Sequence, residues 1–81
     1  MNTTEVLQLA QARRYALSGA GGRVRRAAHL SLQDVADACG SSVTPVWRWE
    51  RAPRAPRGAP AIAWVRLLLE LEQAAARDLS A

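Results

Sequence analysis

The feature that most constrains the fold of this chain is a three-residue break, "GSS" at 40–42, between two short segments with helical apolar spacing. Upstream, Ser31 and Asp34 form an S-x-x-D start signal, followed by apolar Val35, Ala36 and Cys39. Gly40 can take the left-handed conformation that ends a helix. Downstream, Ser42 can cap a second helix in which Pro45 still lies in the first turn, where its missing N–H costs nothing. Two short helices on so short a turn cannot lie side by side. They must cross steeply, as in a helix-turn-helix over 31–51.

The remaining segments also read as helices, so the expectation is an all-α single domain, 1–81, of about five helices. Thr3 or Thr4 caps a first helix with Val6, Leu9, Ala10, Arg13 and Leu17 on its stripe, ending near Ser18 before "GAGG" at 19–22. That stripe is thin, which predicts a peripheral helix. A second helix is expected over about 23–28, with Val24, Ala27 and Ala28 inward, closed by Leu30. Prolines 53, 56 and 60 make "RAPRAPRG" a stiffened extended loop. A long apolar helix over 60–79 follows, with Ile62, Val65, Leu69 and Ala76 on one side. Trp64, Leu68, Leu71, Ala75 and Leu79 lie on the adjoining side.

Several function classes are disfavoured by composition. One cysteine, Cys39, and one histidine, His29, make neither an intramolecular disulfide nor a zinc site of ordinary ligand count. Neither has a catalytic partner nearby, so no enzyme activity, metal or cofactor is expected. The start lacks a signal-peptide pattern and no run approaches a membrane span, so a cytoplasmic protein without a membrane partner is expected. All eleven basic residues are arginine, a bias that fits a GC-rich genome and carries no functional message. Their placement does carry one. Residues 23–57 hold seven arginines against Asp34, Asp37 and Glu50, while the other segments hold four arginines against four acids. The net charge of +4 therefore sits in the middle of the chain, as for a localised polyanion-binding face.

At about 100° per residue, Val46 and Trp49 share one face of the fourth helix while Thr44, Arg48 and Arg51 cluster on the opposite one. A helix with one buried face and one arginine-bearing face suits the major groove of duplex DNA. Arg48 is the candidate for reading a guanine, and Val43 or Thr44 can meet a thymine methyl. Trp47 flanks this face, and packing against the last helix is favoured slightly over donating its indole N–H to a phosphate. Arg54 and Arg57 follow the fourth helix directly, in the proline-stiffened loop. Arg23 and Arg26 are weaker backbone candidates, evenly balanced against an ordinary solvated role.

The segment "LQDVADACGSSVTPVWRWER", 32–51, resembles the helix-turn-helix of the Cro and lambda-repressor (Xre-like) family. Val35, Ala36, Cys39, Gly40, Val46 and Trp49 fall in its register. "RRAAHLSLQDVA" upstream and "RWE" at 48–50 are similar to its flanks, so the likeness covers roughly 22–52. Two positions depart from the pattern: Ser41 where an apolar turn residue is usual, and Leu32 where a polar phosphate-contacting residue is usual. The resemblance implies base contacts by Val43, Thr44 and Arg48, and backbone contacts by Ser31, Ser42 and Arg51 and, in the loop after the helix, by Arg54 and Arg57. It also implies a structural ion pair between Arg25 and Glu50.

The function expected on these grounds is sequence-specific binding of double-stranded DNA by a transcriptional repressor or regulator. By analogy this would be a small Cro-like or immunity-type regulator of a bacteriophage in a bacterial host. The alternatives are an antitoxin, an excisionase-type architectural protein, or a protein-binding helical adaptor that leaves DNA alone. The helix over 60–79 is the candidate surface for a homodimer or a partner protein.

Overall fold

The structure is a computed structural model that describes residues 1–51 and 55–80. These form five helices: α1 Thr3–Ser18, α2 Ala20–Ala27, α3 Leu32–Cys39, α4 Val43–Arg51 and α5 Gly58–Ser80. All are α-helices, in agreement with the all-α expectation.

Local signals account for most of the helix ends. At the start of α3, the Asp34 N–H donates to Ser31 Oγ and the Ser31 N–H donates to Asp34 Oδ2, both at 2.9 Å, which completes a reciprocal capping box. Gly40 ends α3 at φ 66°. There its N–H and that of Ser41 fold back onto the Asp37 and Ala36 carbonyls. The cap of α1 differs from the expectation of Thr3 or Thr4. Asn2 supplies it, accepting from the Glu5 N–H at 2.8 Å, so both threonines lie inside the helix.

"GAGG" is a corner and not a gap. Gly19 takes the left-handed conformation between α1 and α2, and α2 starts at once, three residues before the expected 23. Gly21 and Gly22 are its buried residues, whereas Ala27 is exposed and Val24 and Ala28 are half-buried. The reason is steric. A Cβ on Gly21 would lie 2.5 Å from Trp64 Cζ2 and 2.9 Å from Cη2, so the bare backbone of α2 rests against the indole.

Trp64 is the hub of the core. Fully buried on α5, it stands edge-on to Tyr15 of α1, with ring centroids 6.3 Å apart, and lies 5.2 Å from the Trp49 ring of α4. Around it pack Ala12, Ala16, Val35, Ala36, Cys39, Val46, Ala61, Val65 and Leu68. The expected stripe on α1 is therefore corrected. Val6, Arg13 and Leu17 face solvent, while Ala12, Tyr15 and Ala16 are buried and Leu9 packs at the edge. Nor is α1 peripheral, since its most extensive packing is against α5. Two alanines one turn apart allow close approach, and the Tyr15 hydroxyl extends far enough to donate to the Glu72 carboxylate.

The apolar stripe of α5 is buried only over its first half. Ala61, Ile62, Trp64, Val65 and Leu68 are inside, Leu69 and Leu71 are half-buried, and Ala75, Ala76 and Leu79 are exposed. Among the described residues, no helix is long and apolar enough to cross a membrane.

Candidate nucleic-acid interface

The candidate face is built on α4, a nine-residue helix that follows α3 after residues 40–42. Its inward side carries Val46 and Trp49 in the core, with Val43 half-buried at the edge. On the opposite side Thr44, Trp47, Arg48 and Arg51 are all exposed, at the i, i+3, i+4, i+7 spacing of a single stripe. Of the residues expected to contact bases, Thr44 and Arg48 thus lie on the open face, and Val43 lies at its margin.

Glu50 anchors this helix from behind. Its side chain is only 4% exposed and receives the Arg25 Nε at 2.5 Å and Nη2 at 3.0 Å, while Arg25 Nη1 donates to the Leu30 carbonyl at 2.9 Å. The guanidinium fork therefore joins α2, the α2–α3 connection and the end of α4. Its hydrogen bonds to Glu50 raise the Arg25 pKa above the ordinary arginine value, against the opposing effect of burial. Arg25 is thereby committed to the interior. Gly22 leaves room for the pair, since a Cβ there would stand 3.1 Å from Glu50 Oε1.

The other arginines differ in their freedom. Arg48 and Arg57 line one open cleft of about 690 Å³, together with Ser41, Pro45, Trp49, Ala55 and Pro60. Neither makes a hydrogen bond or ion pair among the described residues. Arg51 places its Cζ 4.3 Å from the centre of the Trp47 ring. Arg23 donates to the Ser18 carbonyl at 3.0 Å and so helps close the α1–α2 corner, while Arg26 is exposed. Arg54 lies outside the described residues.

Ser31 and Ser42 are exposed, with the Ser31 hydroxyl accepting the capping bond at the start of α3. The Ser42 carbonyl accepts from Ser41 Oγ at 3.0 Å. Trp47, expected to pack against the last helix, is 44% exposed on the side of α4 away from Val46 and Trp49, with Arg51 over its ring. The Trp47–Arg51 stack is absent from the sequence expectations, although the i, i+4 spacing of the two residues would have signalled it.

No His, Cys, Asp or Glu cluster among the described residues has the makings of a metal site. Cys39 is buried, and burial pushes its thiol pKa up, away from the reactive thiolate. Compared with known proteins, the chain matches no family model, no curated protein and no solved structure.

Proposed function

We propose that this protein binds double-stranded DNA sequence-specifically as a transcriptional repressor or regulator, with α3 and α4 arranged as a helix-turn-helix and α4 as the reading helix. The observation that carries this reading is the outward stripe of Thr44, Trp47, Arg48 and Arg51 on a helix anchored from behind by Val46, Trp49 and the Arg25–Glu50 pair. A reading helix needs that combination: donors free to meet base edges, and a rigid mount that keeps them in register. Arg48 is the base-reading residue, with Thr44 and Val43 offering methyl contacts. We assign contacts with the sugar-phosphate backbone to Arg51, Arg57, Arg54, Ser42 and Ser31. The concentration of positive charge between residues 23 and 57 supports the same partner.

Selection of bound duplexes from a randomised pool tests the proposal. Enrichment of one motif, protected in footprinting, is the expected result. A pool that is retained without enrichment would point to an architectural, excisionase-like binder, and no retention at physiological salt would sink DNA binding altogether.

A second reading draws on α5. Its last turns carry exposed apolar residues, Leu79 being 89% exposed, which suits a surface that grips a partner protein or a second copy, as in an antitoxin or a helical adaptor. An adaptor predicts no DNA shift. An antitoxin predicts both DNA binding and capture of a protein by the 60–79 helix.

A further inference from the structure

Trp47 and Arg51 stand one turn apart on the outward stripe of α4, with the Arg51 Cζ 4.3 Å from the centre of the indole ring. Their placement is unusual for so large an apolar group. Trp47 remains 44% exposed, and the two other tryptophans of the chain are buried together behind the same helix. Among the described residues Arg51 alone is stacked on a ring, while Arg48 and Arg57 project without a partner. The contact engages the delocalised centre of the guanidinium and leaves its N–H donors without an acceptor among the described residues.

An arginine that meets a phosphate must give up rotamer freedom, and one already held against a ring gives up less. We propose that Trp47 is a positioning residue: it holds the Arg51 guanidinium ready for a backbone phosphate of duplex DNA and makes no base-specific contact of its own. This role rests on the DNA-binding reading above and assigns to the exposed indole a task distinct from base recognition. It also makes Arg51 a backbone contact of a different kind from Arg57, which is stacked on no ring among the described residues.

The test is a double-mutant cycle on the full chain, with sonicated duplex DNA of mixed sequence as the probe and affinity followed across salt concentrations. Trp47→Ala is expected to weaken binding roughly two- to fivefold, the worth of an exposed cation–π contact. Arg51→Ala is expected to weaken it further and to lower the log–log salt slope by about 0.9. In the Arg51→Ala background, Trp47→Ala should add nothing. Trp47→Phe, which keeps a ring, should retain most of the affinity. Arg51→Lys should keep the salt slope and become less sensitive to Trp47→Ala, because an ammonium keeps the charge but lacks the planar fork that stacks on the ring.

If Trp47→Ala weakens the Arg51→Ala protein as much as it weakens the wild type, the indole touches DNA itself and the positioning role is overturned. A DNA-independent readout separates the two readings. In the free protein, the Arg51 side-chain protons should show an upfield ring-current shift that Trp47→Ala removes. Absence of that shift overturns the positioning role and leaves DNA binding untouched. A wild-type protein that has the shift and yet fails to bind mixed duplex DNA at low salt overturns DNA binding, and the positioning role falls with it.

Discussion

At the scale of single residues, stability depends on two places where a side chain, or its absence, has no substitute. Gly21→Ala would place a methyl group against the fully buried Trp64 ring, which is held on its other sides by Tyr15 and Trp49. Overpacking of this kind costs about 1–3 kcal/mol, more than the roughly 1 kcal/mol that alanine returns in helix propensity. A lower urea midpoint is the expected outcome, and an unchanged or raised midpoint would mean that the indole can shift. The Arg25–Glu50 pair is the second place. Arg25→Ala or Glu50→Ala leaves a nearly buried charge unpaired, a loss of about 3–5 kcal/mol. Replacing both with apolar residues of similar volume should cost less than either single change, and denaturation of the three variants side by side checks it.

Between elements, the pairing of α1 with α5 carries a pH dependence. The Tyr15 hydroxyl donates to Glu72, and its pKa is raised above 10.0, first by burial, then by that hydrogen bond and the carboxylate charge. A phenol with a raised folded value holds its proton more tightly when folded. Its contribution is therefore complete below pH 10.0 and lost as the pH climbs beyond it. Cys39 behaves in the same sense from 9.0 upward, through burial alone. Urea midpoints measured from about pH 8 to about pH 11 should hold and then fall. Cys39→Ala should remove the earlier part of the fall and Tyr15→Phe the later part, and a Tyr15→Phe protein that falls as steeply as wild type would contradict this assignment. At the acid end, the capping box holds the Asp34 pKa below 3.8, chiefly through the Ser31 N–H bond. That contribution is present above pH 3.8 and is lost as the pH drops through the depressed value.

Over the whole molecule, Arg48 and Arg57 come from different segments to line one cleft. Proximity does not make their proposed tasks equal. Arg48→Ala should reduce discrimination between a selected site and mixed DNA by about 1–3 kcal/mol. Arg57→Ala should weaken binding to both equally and reduce the salt slope by about 0.9. Titration of both variants against both DNAs at several salt concentrations decides, and an equal loss of discrimination would end the division of labour. If the exposed end of α5 pairs two copies, the selected site should consist of half-sites about 34 Å apart on one face of the duplex.

The sequence by itself determined the features that depend on neighbours within a few residues. The capping box at Ser31, the left-handed stop at Gly40, Pro45 tolerated in the first turn, and the opposed faces of α4 were all legible there, because each is settled by local hydrogen bonding or helical period. Tertiary structure alone decided which face of α1 is buried, why two glycines sit inside α2, and that Trp47 stays half-open beneath Arg51. Those outcomes depend on shape across the core, where one indole, Trp64, leaves room for alanine and glycine on one side and for a single further tryptophan on the other. A one-dimensional pattern of apolar residues carries no record of that competition for space.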